Sequence, residues 1–232
     1  MEHNMTYRSD MAVELIDSMG GDHSVVRSAR VSSGSVADDA SRDEGLINYL
    51  MRDRHGSPFE HAVFTFRIEA PIFVFREFMR HRMASYNEES GRYKELEPVF
   101  YVPDENRKLI QIGKPGAYTF EDGDDVQMNT VDYNITDQST GAYEAYRTML
   151  SAGVAREVAR MVLPLNIYSS MYVTMNARSL MNFLSLRSEE QGTYPSFPQW
   201  EIAEVARQME EHFVEMMPIT YSSFVKNGRV AP

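Results

Sequence analysis

The sequence predicts a single α+β domain over residues 1–232. The two-residue periodicity of strands and the longer periodicity of helices both occur, and the two kinds of segment do not alternate strictly along the chain. Of the 232 residues, 43% are apolar, which is enough for a substantial core. We find no internal repeat and no linker that divides the sequence, so one domain is the expected organisation.

The individual elements follow from these periodicities and from the residues at their ends. Strand patterns occupy residues 12–19, 62–69, 99–102 and 167–175. Helix patterns occupy residues 22–30, 38–54, 71–80, 142–150, 156–163, 177–186 and 199–225. Asp22 is placed to cap the first helix, Pro71 suits the first turn of the third, and Pro218 is expected to kink the last. Residues 103–140 are acidic and weakly periodic, which predicts a variable excursion from the domain.

The charge and composition exclude several classes of protein. The net charge of −11 argues against general nucleic-acid binding, because contact with a phosphate backbone requires a positive surface. The chain has no cysteine, which excludes disulfides, thiolate metal sites and a cysteine nucleophile. No apolar stretch approaches the ~18 residues of a membrane span, and residues 1–10 lack the apolar core of a signal peptide. We therefore expect a cytoplasmic protein with no membrane and no nucleic acid among its partners.

A metal site is not expected. His55, Glu60 and His61 lie in one turn-rich segment and offer metal-ligating atoms. Their spacing matches no helical ligand pair, however, and no second cluster of histidine or cysteine completes the set.

The most informative stretch is Arg80-His81-Arg82, which follows an apolar run and precedes Ser90-Gly91-Arg92. Clustered guanidiniums suit a phosphate, because each offers a planar fork of donors that matches the oxygens. The Ser90 hydroxyl and the backbone N–H groups around Gly91 can complete an anion cradle. In so acidic a chain, the pattern indicates a small anionic ligand, and the alternative is a solvated basic loop.

Taken together, these residues resemble the flavin-dependent thymidylate synthases. The family's hallmark is Arg-His-Arg followed after seven residues by Ser, which here is Arg80-His81-Arg82 to Ser90. Further segments match the family in order: Ser57-Pro58-Phe59-Glu60-His61, Asn87-Glu88, Ser90-Gly91-Arg92-Tyr93, Arg156-Glu157-Val158-Ala159-Arg160 with Leu163-Pro164, and Asn176-Ala177-Arg178-Ser179-Leu180 through Asn182 to Arg187. The resemblance covers most of the chain from Gly21 to Trp200.

The resemblance implies a fold, an activity and an assembly. The fold is the thymidylate synthase-complementing type, a mixed α/β domain with an antiparallel sheet flanked by helices. The activity is methylation of dUMP to dTMP, with 5,10-methylenetetrahydrofolate as carbon donor, FAD as hydride donor and NADPH as reductant. The assembly is a homotetramer with shared active sites.

The resemblance also implies site residues. FAD would be contacted by Ser57, Arg80, His81, Arg82, Glu88, Asn176, Ala177, Arg178 and Asn182. The nucleotide dUMP would be surrounded by Glu77, Phe78, Met79, Arg80, Glu88, Glu89, Ser90, Gly91, Arg92, Arg160 and Arg187. Arg187 is the expected catalytic residue, as a fixed positive charge that stabilises the anionic form of uracil at N3–O4.

The residues agree with this resemblance in two respects and depart from it in two. A chain without cysteine cannot attack uracil with a thiolate, and the lack of a Gly-x-Gly-x-x-Gly fingerprint excludes a Rossmann site for FAD. Glu77 occupies a position where family members often have Gln. A carboxylate there would repel the phosphate of dUMP unless it is paired or contacts the base or sugar. The loop 189–198 is also long.

Without the resemblance, other interpretations stay open. Asn176 and Asn182 read as helix caps or solvated side chains, Arg160 as a surface ion-pair partner, and His81 as a structural histidine. The chain could then be a nucleotide- or RNA-binding module, although no RNA-binding aromatic motif accompanies the arginines. A flavin-dependent NADPH oxidase without methyl transfer is the second alternative, which a test of dUMP and folate dependence distinguishes.

Overall fold

The computed structural model describes residues 4–32, 34, 40–114, 116–190 and 192–232 of the chain. The chain forms two compact units, each assembled from three stretches of sequence. The first unit contains Met1–Met11, Glu69–Glu77 and Glu88–Met171, and the second contains Ala12–Ile68, Phe78–Asn87 and Tyr172–Pro232. The expectation of one domain over residues 1–232 stays a prediction.

Strands and helices are mixed along the described residues. The strands are β1 Thr6–Arg8, β2 Ala12–Met19, β3 Val63–Pro71, β4 Ser85–Glu88, β5 Val99–Tyr101, β6 Ile110–Lys114, β7 Ala117–Glu121 and β8 Tyr168–Asn176. The helices are α1 Asp22–Arg30, α2 Ala40–Arg52, α3 Ile72–Phe78, α4 Asp125–Ser151, α5 Arg156–Ala159, α6 Ala177–Arg187, α7 Trp200–Met216 and α8 Pro218–Lys226, with short 3-10 helices at Ser57–His61 and Arg160–Val162.

The strands form three sheets. The largest has four strands in the order β2-β3-β8-β4, while β1 pairs with β5 in parallel and β6 pairs with β7 as an antiparallel hairpin. This mixed architecture with an antiparallel sheet and flanking helices confirms the predicted α+β class. No helix in the described part of the chain is both long enough and apolar enough to cross a membrane.

The core of the second unit is built on the alternation of β3. Phe64, Phe66 and Ile68 are buried at every second position, as the period of a strand requires. The ring of Phe213 in α7 meets the ring of Phe64 edge-on, with the centroids 5.9 Å apart. Helix α6 packs against α7 on its buried side, so the sheet and α7 together fix the position of α6.

The core of the first unit gathers around one long helix. The buried side chains that form it are Leu96, Phe100, Tyr143, Tyr146, Ala159 and Ile167. Helix α4 contributes Tyr143 and Tyr146, and the Tyr143 hydroxyl donates to the Leu96 carbonyl at 3.1 Å. The segment around Leu96 is therefore held against α4, directly after the Ser90 region.

The structure corrects the interpretation of residues 103–140. They contain the β6–β7 hairpin and the first part of α4, which begins at Asp125 instead of Ala142. The helical period was weak because the described residues of this 27-residue helix bury only Ser139, Tyr143 and Tyr146. Asp124 and Gln127 form a reciprocal capping box at its start, which is a recognisable sequence signal for the beginning of a helix.

Most other element predictions are confirmed within a few residues. The predicted single helix 199–225 is instead two helices, α7 and α8, because the chain breaks at Met217 before Pro218, and strands β1 and β4 were not predicted. Three further points concern individual residues. Asp22 is the first residue of α1 and not its cap; its carboxylate accepts hydrogen bonds at 2.9 Å from the N–H groups of Ile219 and Thr220, at the start of α8. Pro71 ends β3, so α3 begins one residue later. The expected start of the second helix at Asp38 lies outside the described residues.

Candidate active site

The predicted site residues divide between the two units. The second unit holds Ser57, Phe78, Met79, Arg80, His81, Arg82, Asn176, Ala177, Arg178, Asn182 and Arg187. The first unit holds Glu77, Glu88, Glu89, Ser90, Gly91, Arg92 and Arg160.

In the second unit, the chain turns sharply where α3 ends at Phe78. The His81 N–H donates to the Phe78 carbonyl at 3.0 Å, which closes the turn. The Tyr86 hydroxyl, from the following strand β4, donates to the His81 carbonyl at 2.5 Å and to the Phe78 carbonyl at 3.3 Å. Arg80-His81-Arg82 is therefore a braced turn just past the helix, as the sequence predicted.

The ring of Phe183 in α6 connects this turn to the helix. It stacks on the ring of Phe78 with centroids 4.4 Å apart and meets the ring of His81 edge-on at 4.9 Å. We call Phe78, His81, Tyr86, Phe183 and Arg187 the His81 cluster. Phe78 and Phe183 are fully buried, so the two elements that carry the predicted ligands are fixed by packing.

The polar centre of the His81 cluster is a hydrogen bond between His81 and Arg187. The Nε–H of Arg187 donates to Nε2 of His81 at 3.0 Å. An imidazole nitrogen that accepts must be unprotonated, so His81 is neutral with its proton on Nδ1. Burial and the neighbouring Arg187 charge together lower the pKa of His81 to about 4. The resemblance implies that His81 contacts FAD and that Arg187 contacts dUMP, but the sequence does not predict that the two residues contact each other.

The guanidiniums on either side of His81 have a different environment. Arg80 and Arg82 are exposed, and neither makes a hydrogen bond or ion pair with any part of the chain that the structure describes. Two unpaired cations beside a fixed imidazole form a positive site on a chain whose net charge is −11. Such a site is suited to the phosphates of a ligand.

At the other end of α6, Asn176 is the helix cap. Its Oδ1 accepts from the Ser179 N–H at 2.9 Å, which is the structural role that the residue alone had suggested. The Ala177 N–H donates to the Ala62 carbonyl at 2.9 Å and so ties α6 to the residue before β3. Asn182 is exposed one turn further along the helix.

Arg178 is held by contacts within the protein. It donates to Glu60 at 2.7 Å and to the main-chain oxygen of Pro232 at 2.6 Å. Its guanidinium also lies directly over the Cα of Gly56, where a Cβ would clash with Nε. Ser57, at the start of the adjacent 3-10 helix, is exposed. Glu60 and Gly56 are thus supporting residues that the sequence did not identify.

The second cluster is a turn in the first unit, which we call the Ser90 turn (residues 88–94). The Ser90 carbonyl accepts from the N–H groups of Tyr93 and Lys94 at 3.0 and 3.3 Å, and its hydroxyl accepts from the Arg92 N–H at 3.3 Å. Gly91 is buried, and a Cβ there would lie 3.3 Å from Cδ of Arg160. The turn therefore brings Arg160 next to Gly91, and their shared role at dUMP stays a prediction.

The charges of the Ser90 turn are unequally compensated. Burial raises the pKa of Glu88, although the nearby Ser169 hydroxyl and the Arg160 charge act in the opposite direction. Glu89 pairs with Lys94 at 3.0 Å, and Arg92 pairs with Glu157 at 2.9 Å. Arg160 is exposed and acts on Glu88 through its charge. The half-buried Glu77 belongs to this unit as well, at the end of α3.

Comparison with known proteins shows the family to which the chain belongs. The family model described as "Thymidylate synthase complementing protein" matches residues 14–219. A flavin-dependent thymidylate synthase of Tropheryma whipplei (strain TW08/27) is 59% identical over 97% of both chains. The enzyme of the same description from Streptomyces avermitilis is 57% identical over 98% of this chain and 96% of the relative. That from Thermotoga neapolitana is 47% identical over 92% of this chain and 90% of the relative.

Solved structures show the same fold. The UMP/dUMP methylase PolB from Streptomyces cacaoi, bound with 5-Br dUMP, superposes with a TM-score of 0.93 and 48% identity, covering 98% of this chain and 100% of that chain. The same protein bound with 5-Br UMP gives a TM-score of 0.92, covering 99% and 100%.

Proposed function

Since this chain belongs to the flavin-dependent thymidylate synthases, we propose that it converts dUMP to dTMP with 5,10-methylenetetrahydrofolate as carbon donor and NADPH as reductant. The chain is an enzyme of dUMP methylation, and its cofactor is a flavin. The observation that carries the site assignment is the neutral His81 held by Arg187, with the unpaired Arg80 and Arg82 on either side.

The residues of the second unit fit FAD. Arg80 and Arg82 supply two exposed guanidiniums for its phosphates, and a neutral His81 adds a hydrogen-bonding edge without a further charge. The capped start of α6 adds the side chains of Asn176 and Arg178 beside the Ser57 helix, and Arg178 is held in place there by Glu60 and Pro232. When bound, FAD supplies the hydride that reduces the transferred one-carbon unit, and the protein binds and orients it.

The residues of the Ser90 turn fit the nucleotide. The Ser90 hydroxyl is of the kind that binds a phosphate, although in this structure it accepts from the Arg92 N–H, and Arg160 adds a cation next to Gly91. The carboxylates Glu88 and Glu89 suit the hydroxyl and N–H donors of a sugar or base. Ser90 has no histidine in the turn to activate it, so we assign it to binding and not to covalent attack.

We assign the activation of uracil to Arg187. Carbon 5 of neutral uracil is a weak nucleophile, and electron density reaches it when the N3–O4 edge carries negative charge. A guanidinium stabilises that charge but cannot remove the proton, because its pKa is above ~12. The bond from Nε to His81 fixes the plane of the Arg187 side chain, so its charge is already oriented before the substrate arrives.

The assembly and location follow from the family as proposals. We propose a homotetramer in which subunits share active sites, and the expected cytoplasmic location stays a prediction. Glu77 and the loop 189–198 are the two places where we expect this chain to differ from its relatives in detail.

The experiment that tests the function is dTMP formation by the purified protein. The protein should bind FAD and convert dUMP to dTMP only when methylenetetrahydrofolate and NADPH are both present. UMP is tested in parallel, because the Streptomyces cacaoi protein is described as a UMP/dUMP methylase. NADPH oxidation without any methylated nucleotide would instead identify a flavin oxidase, and failure to bind FAD would contradict the proposal altogether.

A further inference from the structure

A buried ion pair lies next to the end of α6 and plays no part in the site described so far. The Arg229 guanidinium donates to both carboxylate oxygens of Glu210, at 2.7 and 2.9 Å. Arg229 is 5% exposed and Glu210 is 7% exposed. The Tyr221 hydroxyl donates to the same carboxylate at 2.8 Å. Burial disfavours the charged form of Glu210, but the bonds from Arg229 and Tyr221 outweigh it and lower the pKa of the carboxyl.

The pair reaches the residue that follows Arg187. Nη2 of Arg229 donates to the hydroxyl of Ser188 at 3.1 Å. Ser188 is 4% exposed and is the C-terminal cap of α6, with its N–H bonded to the Leu184 carbonyl at 3.0 Å. Hydrogen bonds therefore connect Glu210 through Arg229 to Ser188, which is the next residue in the chain after Arg187, and Arg187 in turn bonds to His81.

The backbone around Arg229 is shaped to make this contact. After α8 ends, Gly228 and Arg229 both have positive φ, +78° and +55°. A left-handed conformation is unfavourable for a non-glycine residue, and such strain is retained where the surrounding contacts enforce it. The Gly228 carbonyl accepts from the Thr193 N–H at 2.8 Å, so the same turn also holds the loop after Ser188.

The residues that follow hold the opposite end of α6. The main-chain oxygen of Ala231 accepts from Arg54 at 2.8 Å, and that of Pro232 accepts from Arg178 at 2.6 Å. Arg178 is in the first turn of α6, whereas Ser188 caps its last turn. Segment 227–232 therefore contacts both ends of the helix that carries the predicted flavin and uracil ligands.

We propose that segment 227–232 is a clamp that positions α6, and that Arg229 is the positioning residue that holds Arg187 against His81 through Ser188. The inference rests on the proposed function of Arg187. It concerns residues beyond the region that the family model matches, which ends at residue 219. A buried ion pair contributes little net stability, because the cost of desolvating the two charges offsets much of their attraction. The hydrogen bond from Arg229 to Ser188 is therefore the feature that indicates a positioning role.

The test uses the flavin-loaded enzyme and two variants that leave the charges of the pair in place. Ser188→Ala removes only the hydroxyl that connects Arg229 to α6. Arg229→Lys keeps a cation beside Glu210 but loses the fork that reaches two partners. Ser223→Ala is the matched control, since Ser223 is an equally buried serine in α8, 3% exposed. Two quantities are measured for each protein: kcat for dTMP formation at saturating dUMP, and the pKa of His81 by NMR on labelled histidine.

We expect kcat to fall by about tenfold to a hundredfold in both variants, the scale for a displaced catalytic group. We also expect the pKa of His81 to rise from about 4, because a displaced Arg187 charge no longer opposes protonation. Ser223→Ala should match the wild type in both measurements. If Ser188→Ala does not fold, Arg229→Lys decides the matter alone.

Three results would overturn the clamp. One is a folded variant with the kcat and the His81 titration of the wild type. Even if its melting temperature is lower, the Glu210–Arg229–Ser188 contacts would then stabilise the fold without positioning Arg187. Another is a fall in kcat while His81 titrates as before, because Arg187 would not have moved. The third is an equal loss in Ser223→Ala. An inactive wild type would instead refute the proposed function, and the His81 titration, which needs no substrate, would still test the contact.

Discussion

Arg187 and His81, 106 residues apart in sequence, are joined by a 3.0 Å hydrogen bond from Nε to Nε2. Arg187 is in the last turn of α6, where a cation is favourable beside the partial negative charge of the helix end. Burial, with the Arg187 charge as the second cause, lowers the pKa of His81 to about 4 and so keeps the imidazole of the Arg-His-Arg turn neutral. The turn therefore carries two positive charges and not three at neutral pH, and the uncharged ring lies between them.

The first prediction concerns the titration of His81. In the wild type its pKa should be about 4, and in Arg187→Met it should rise, because one of its two causes is removed. It should still stay below the ordinary value of 6.5, since burial is the larger cause. NMR of labelled histidine measures both, with Arg207→Met as the control because Arg207 is an exposed arginine paired within α7. An unchanged His81 in Arg187→Met would contradict the hydrogen bond.

The same shift predicts how stability depends on pH. Between pH 6.5 and about 4 the unfolded chain protonates His81 while the folded chain does not. Its contribution to the free energy of unfolding is therefore complete above pH 6.5 and is lost as the pH falls towards 4. His81→Gln should show a shallower loss of stability over this range, measured by urea denaturation at a series of pH values. Equal slopes for the variant and the wild type would mean that His81 titrates normally in the folded protein.

The third prediction separates the chemical step from reduction of the flavin. Arg187→Met should reduce dTMP formation at saturating dUMP by about 10²–10³, the scale for the loss of one oxyanion-type donor. Anaerobic reduction of the flavin by NADPH does not involve uracil C5 and should be spared. Arg207→Met again serves as the control. If both rates fall together, or if methylation survives, Arg187 is not the uracil activator.

The fourth prediction is that Glu88→Gln makes the protein more stable and less active. Its pKa is raised by burial, so the folded state disfavours the charged carboxylate at neutral pH. The stability advantage of Glu88→Gln over the wild type should therefore grow as the pH rises above 4.5 and level off above the raised pKa of Glu88, and turnover should fall because a site residue is lost. Thermal melting at several pH values measures this, with Glu215→Gln in α7 as an exposed control. An advantage that is independent of pH would contradict the shifted pKa.

The sequence predicted the elements better than it predicted the contacts between side chains of different elements. Strand β8 and helix α6 follow from clear periodicity, but the 3.0 Å contact of Arg187 with His81 depends on how α6 packs against the α3 turn. Phe183 fixes that packing, and in the sequence it reads only as one more apolar residue of a helix. Local patterns determine elements, whereas the register between distant elements depends on the fit of buried side chains.

Arg229 and Glu210 illustrate the same limit for charged residues. In the sequence, Arg229 follows a glycine and would be expected to be solvated. Glu210, a charged residue in a helix, would likewise be expected on the surface. Only the structure shows that the two are 5% and 7% exposed and bonded to each other. Gly228 was the one local signal, because a glycine just after a helix often marks a left-handed turn.

The last prediction concerns shared active sites and uses hybrid oligomers. The structure places His81 and Arg187 in one cluster of a single chain, so Arg187→Ala and His81→Ala damage the same cluster. Subunit exchange between these two variants should restore no activity, because no hybrid site contains an intact His81 cluster.

Arg160, by contrast, belongs to the Ser90 turn in the first unit. If one subunit supplies the His81 cluster and another supplies the Ser90 turn, hybrids of Arg187→Ala and Arg160→Ala contain some sites with both clusters intact. Random mixing of equal amounts should then recover about a quarter of wild-type activity, because the two contributing chains are drawn independently. Native mass spectrometry verifies the exchange, and activity is compared with each variant alone. Recovery in the Arg187–Arg160 hybrid but not in the Arg187–His81 hybrid supports the shared site, whereas no recovery in either verified hybrid places both clusters of each site in one chain.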